Sequence, residues 1–266
     1  PMIPLSTAQR PLYLRRPELQ LGFAAHWADE RDAFTYIRHR PGQDAPAVVY
    51  ARLDEFVWRP DPETHPVLEE FVARFANKPT LAMRGFLFHD QDWSEGQLGG
   101  PIRDKLDSHR GDSEAFILLF PMPSDPDEAE ELRPTYILTR NHYIFRVYEA
   151  PRPVAGRYWI EIESLGHGLS LVENDASLCK PDLRLFTPND YELVDMNGPK
   201  FVPYELSYWC LFDHFGIDPP FRMGDTRLHL ADRGGDVGLP WQDPYEYIYR
   251  LMRHVPTAIV GTIRAG

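Results

Sequence analysis

The pattern of apolar and polar positions changes period several times along the chain. Over 64–75, Val67, Leu68, Phe71, Val72 and Phe75 recur at a 3.6-residue spacing, which predicts an amphipathic helix. Thr64 can cap it, and Pro66 falls in the first turn, where a missing N–H is tolerated. A second helical pattern over 203–216 puts Tyr204, Tyr208, Leu211, Phe212 and Phe215 on one face, between Pro203 and Gly216. Asp125-Pro126-Asp127-Glu128 and Asp243-Pro244-Tyr245-Glu246 each join a capping Asp, a proline and a Glu three places on, so each predicts a helix start. The latter helix runs to about His254, and another helix is expected over 27–39, stopped by Pro41-Gly42.

Elsewhere the period is two, or the run is continuously apolar. Tyr158–Ile162 alternates, with Tyr158, Ile160 and Ile162 on one side and Trp159, Glu161 and then Glu163 on the other. Strands are also expected over 47–53, 81–88, 115–120, 136–138, 143–148, 183–185, 191–194, 227–230 and 257–263. The central ones are separated by short stretches, Arg140-Asn141 and 150–156, which favour antiparallel neighbours over crossover helices. The expected fold class is therefore α+β, a central, mainly antiparallel sheet with flanking helices. One compact domain over 1–266 is expected, with an irregular N-terminal arm over about 1–25 spaced by Pro4, Pro11 and Pro17. The polar stretch 90–112, with Gly96, Gly99 and Gly100, reads as a lid or a long loop.

Composition adds limits rather than an identity. Pro, at 26 of 266 residues, favours short elements joined by turns. The net charge is −12, and residues 90–131 alone hold 12 acidic against 3 basic side chains, which argues against a duplex-binding surface and for no nucleic-acid partner. Cys179 and Cys210 offer one disulfide at most, which suits a reducing compartment. No basic-then-apolar export signal opens the sequence, and no apolar stretch nears the roughly 20 residues of a membrane span. A soluble cytoplasmic protein with no membrane partner is the expectation.

Phosphate-loop, dinucleotide, zinc-protease and nucleophile-elbow motifs are absent, so candidate chemistry rests on clusters. Glu161 and Glu163 share a strand face, with His167 just beyond and Trp159 on the same face. The plainer reading of that face is a solvated sheet surface ending in a turn. Arg146 on the neighbouring strand offers either a cross-strand ion pair or an anchor for an anionic substrate. His229, between Asp225 and Asp232, has carboxylates nearby to fix its tautomer, as a general base requires, although an ordinary strand edge looks the same. Cys210 and His214 stand one helical turn apart but inside an aromatic run, where a buried, inert thiol is the simpler reading. His65 with Glu69, and Asp90, Asp92 and Glu95, are weaker clusters with surface readings. Tyr208 and Trp241 belong to an aromatic-rich last quarter that suits a pocket, a core or an interface equally well.

The leading functional reading is a small-molecule enzyme using acid–base chemistry: a hydrolase, lyase or isomerase. His167 and His229 would carry protons, Glu161 and Glu163 would partner them, and Arg146, Trp159, Tyr208 and Trp241 would hold substrate. This reading calls for no metal and no cofactor, and it leaves room for a homo-oligomer. The alternative is a non-enzymatic, acidic protein-binding module that engages a basic partner. The two part on geometry. An enzyme must bring at least one His and one carboxylate together at a pocket, whereas a binding module leaves them dispersed and presents an acidic surface.

Overall fold

Backbone hydrogen bonds gather the apolar runs into two sheets. The computed structural model describes residues 2–4, 21–28, 30–35, 46–57, 78–92, 109–122, 133–141, 144–195 and 259–264. The strands are β1 (Met2–Pro4), β2 (Leu21–His26), β3 (Ala47–Val57), β4 (Pro79–Asp92), β5 (His109–Pro121) and β6 (Tyr136–Asn141), followed by β7 (Ile144–Glu149), β8 (Tyr158–Ile162), β9 (Leu169–Leu171), β10 (Leu183–Phe186), β11 (Tyr191–Asp195) and β12 (Ile259–Arg264). The larger sheet has the order β1-β3-β4-β5-β6-β7-β12, and β11 also pairs with β3. Its pairings from β1 through β7 are antiparallel, whereas β11 lies parallel to β3 and β12 parallel to β7. The smaller sheet runs β10-β2-β8-β9, with β2 and β8 parallel.

The two sheets pack face to face as a sandwich, because each has one strongly apolar face. Leu21, Phe23 and Ala25 of β2 and Tyr158, Ile160 and Ile162 of β8 meet Leu81, Met83 and Leu87 of β4 and Phe116, Leu118 and Phe120 of β5. Phe23 sits near the middle, with its ring centroid 5.7 Å from Phe116, 5.8 Å from Phe34 and 5.3 Å from Tyr191. Full burial of such a side chain contributes about 1.5–3 kcal/mol. The continuous apolar run in β5 is explained by burial on both faces: Phe116, Leu118 and Phe120 point to the second sheet, while Ile117 and Leu119 are buried on the far side.

The expected α+β class does not hold. The layer packed on the larger sheet is a second sheet, and the helical structure among the described residues is limited to the 3-10 turns Glu30–Asp32 and Asp175–Cys179. The helix expected over 27–39 is replaced by the first of these turns. There the Asp32 carboxylate accepts the Ala28 amide at 2.7 Å, and Phe34 pairs with His89 of β4. Local side-chain capture of an amide and strand pairing displace the helix. Within the expected irregular arm, Leu21–His26 is instead a buried strand between β10 and β8. The helices expected over 64–75, 203–216 and from Asp125 and Asp243, and the strand expected over 227–230, lie outside the described residues. No helix among the described residues is long and apolar enough to cross a membrane.

Candidate functional site

Two histidine–carboxylate clusters stand on opposite sides of the smaller sheet. The pleat decides which residue joins which. On β8, Tyr158, Ile160 and Ile162 point into the sandwich, so Trp159 and Glu161 must point outward. On β2, Leu21, Phe23 and Ala25 point inward, and Ala24 and His26 share the outer face with Glu161.

The outer cluster is built around His26. Its Nδ1 lies 2.5 Å from Asp182 Oδ2 and its Nε2 lies 2.6 Å from Glu161 Oε1. Lys180 Nζ donates to the same Glu161 oxygen at 2.5 Å. Burial alone would lower the imidazole's pKa, but hydrogen bonds and charge from Asp182 and Glu161 together carry it above its ordinary 6.5. Burial likewise works to raise Glu161, and Lys180 and His26 outweigh it, leaving that carboxyl below its ordinary value. Asp182 is lowered chiefly by its hydrogen bond with His26. With a carboxylate at each ring nitrogen, the imidazolium has both protons engaged. It holds no lone pair with which to take a proton from a substrate.

The inner cluster lies at one end of the sandwich interior. Asp32, 1% exposed, accepts the Leu165 amide at 2.8 Å, the Ala28 amide at 2.7 Å and the Ser164 hydroxyl at 3.1 Å. His167 Nε2 lies 3.6 Å from Asp32 Oδ1. The ring of His167 stacks flat on His89, with centroids 3.7 Å apart and planes 3° apart. Two imidazoliums at that separation would repel, so the stack requires at least one neutral ring. Burial pushes the Asp32 carboxyl up, but His167 and the amides of Leu165 and Ala28 pull it well below the usual carboxylate range. The turn itself is tightly bent, with Leu165 at φ 67° and His167 at φ 53°.

The predicted site residues are therefore divided. Glu161 is on the outer face, whereas His167 is buried on the inner side and pairs with Asp32. Glu163 stands past the end of β8, where its amide donates to Gly168 O at 3.0 Å and closes the turn. Arg146 lies opposite Thr139 on β6, in the row that faces the sandwich interior, and so does not meet Glu161 as a cross-strand partner. Trp159 is 5% exposed, and its indole N–H donates to Val154 O at 3.0 Å. Its ring lies so close over Gly22 that a Cβ there would stand 2.5 Å from Trp159 Cε3, so this tryptophan fills a core. His229, Tyr208 and Trp241 lie outside the described residues. The acidic stretch 90–131 also lies largely outside them, and Glu114, from its described part, is buried rather than presented to solvent.

The described residues do not support the hydrolase and lyase readings, because Glu161 and His167 lie on opposite sides of the smaller sheet. Among the described residues the structure holds histidine–carboxylate pairs of general acid–base or interaction type, and no arrangement of them singles out a reaction class. No group of three or more His, Cys, Asp or Glu among the described residues has the geometry to hold a metal ion. Sequence reading missed His26, Asp32, His89 and Asp182. Alternation through Leu21, Phe23 and Ala25 was the one signal that would have placed His26 on an outer strand face. The partnerships of His26 with Asp182 and of Asp32 with Ser164 span 156 and 132 positions, so no local spacing shows them.

No protein-family model matches the chain, and none of the curated proteins matches it. Among solved structures it is similar to one described as "Toxin fold for microbial attack and plant defense", at 12% identity and a TM-score of 0.40, covering 77% of this chain and 83% of that one. It is also similar to "Crystal structure of non-toxic HaNLP3 protein", at 14% identity and a TM-score of 0.42, covering 83% and 95% respectively. Likeness of this degree assigns no activity.

Proposed function

We propose that the chain is a non-enzymatic, acidic protein-binding module that engages a basic partner across the outer face of the smaller sheet. The observation that carries this reading is an exposed leucine on the outer side of the smaller sheet, within an acidic stretch of the chain. Leu185, 42% exposed, pairs with Ala24 on the edge strand β10. The chain from 173 to 195 holds six carboxylates and two cations, Glu192 and Asp195 of them on β11 of the larger sheet. Glu173, Asp175, Asp182 and Asp190 among them are exposed.

An exposed apolar side chain in a stretch with excess negative charge suits a protein surface of opposite sign. The charge raises the encounter rate and rejects acidic partners, and the apolar contact slows release. The partition of His167 and Glu161 across the sheet supports the same reading, because proton transfer needs contact or one bridging water.

The test is fluorescence anisotropy with a labelled decalysine peptide at low and high salt. The expected result is saturable binding that weakens about fivefold or more in Glu173→Gln/Asp175→Asn, with the difference vanishing at about 0.5 M salt as charges are screened. Equal affinity of the variant and the parent protein at low salt would count against this surface.

A further inference from the structure

We propose that His26 is a pH-sensitive clasp that fastens residues 175–186 to the outer face of the smaller sheet.

Three elements meet at the clasp. His26 ends β2, Glu161 comes from β8, and Lys180 and Asp182 come from the bend between the 3-10 turn Asp175–Cys179 and β10. Apolar contacts hold the two ends of this segment: Leu178 and Leu183 pack against the cluster of Ala24, Val154, Trp159 and Val172. The bend between them is polar. It is tied down by the Trp27 amide donating to Asp182 O at 2.9 Å and by the side chains of the clasp.

The switch follows from the chemistry of the ring. An imidazole donates from both nitrogens when protonated and from one when neutral. Both nitrogens of His26 face carboxylate oxygens, at 2.5 and 2.6 Å. Loss of one proton therefore turns one attraction into a lone pair set against a carboxylate. The two carboxylates are not equivalent. Glu161 is 18% exposed and also binds Lys180, while Asp182 is 55% exposed and can regain water at little cost. The neutral ring keeps its Nε2 proton toward Glu161, and the Asp182 side chain swings out, loosening the bend at 180–182, which then keeps the Trp27 amide and Lys180 as ties.

The surrounding charges favour a closed clasp with a protonated ring. Among the described residues, two carboxylates and the Lys180 ammonium surround the imidazole, so its protonation brings the group to neutrality. Ser170, opposite Glu161 on β9, adds no charge. Glu163 is the next carboxylate along, beyond the end of β8. Arg184 is turned away, its guanidinium 4.4 Å over the Trp27 ring. Asp182 and Glu161 carry the imidazole above 6.5 against the opposing effect of burial, and both carboxyls are lowered. The clasp is thus closed below 6.5 and above the ordinary carboxylate values of 3.8 and 4.5, and it opens as pH rises through the raised value of His26.

Amide hydrogen exchange of the full chain at about pH 6 and pH 9, corrected for the intrinsic pH dependence of exchange, tests this directly. Protection over 175–186 is expected to fall about tenfold between those values, while β8 stays unchanged. Asp182→Asn, at a half-exposed position that folding tolerates, is expected to abolish the pH dependence. An NMR titration of His26 in the parent protein is expected to show a pKa above 6.5, moving down in Asp182→Asn. Constant protection over 175–186 in the parent, an unchanged pH dependence in Asp182→Asn, or a His26 that titrates at or below 6.5 would each overturn the proposal.

Discussion

Asp32 holds together two segments that are far apart in sequence. It accepts from the amides of Ala28 and Leu165 and from the hydroxyl of Ser164 at a position 1% exposed. A buried donor deprived of its acceptor costs about 1–3 kcal/mol. Asp32→Ala is therefore expected to lower the unfolding free energy by about 3 kcal/mol in urea denaturation, and Asp32→Asn, which retains one acceptor oxygen, by less. The pH dependence follows from the direction of the shift. The folded carboxyl lies below its ordinary 3.8, so its stabilisation is full above that value and is lost as pH falls through the folded one. His26 runs the other way: its contribution is full below 6.5 and is lost as pH rises through its raised value. Unfolding free energy measured against pH should fall on both limbs. The acid limb should flatten in Asp32→Asn and the basic limb in Asp182→Asn.

Packing of one sheet on the other sets the tolerances at the scale of an element. Gly85 of β4 faces the ring of Phe116 on β5, and a Cβ there would stand 2.1 Å from Phe116 Cζ. Gly85→Ala is expected to destabilise by about 2 kcal/mol, because a ring in a close-packed interior has to shift. In a Phe116→Leu background the same change should cost less, and a double-mutant cycle by denaturant unfolding reads the difference. The strands themselves were legible in the sequence wherever the pattern was strong. Tyr158–Ile162 alternates because one face is core, and the β5 run is continuous because both faces are buried. The prolines before Leu21 concealed β2, whose alternation is carried by small residues, Gly22 and Ala24. The layering was not legible. An amphipathic strand shows that something covers it but not whether that layer is helix or sheet, and this is why flanking helices were expected where a second sheet lies.

Two charged clusters stand on opposite sides of the smaller sheet. Glu161 and His167 come within six positions of each other in the sequence, yet the pleat and the turn at Leu165 send one outward and the other into the sandwich. That division left the candidate site half legible. Residue types and proximity in sequence were visible, whereas the true partners, His26 of β2 for Glu161 and Asp32 of the first 3-10 turn for His167, come from segments remote in the chain. The smaller sheet's outer side carries the exposed Leu185, in a stretch of chain with four exposed carboxylates, and a basic protein surface is proposed to dock there. The most direct measurement is a two-dimensional amide NMR titration of the isotope-labelled protein with decalysine at low salt. The shifted amides are expected to concentrate in 173–195 and in the adjoining ends of β2 and β8. Shifts confined to other parts of the chain, or none at saturating peptide, would contradict the proposed docking.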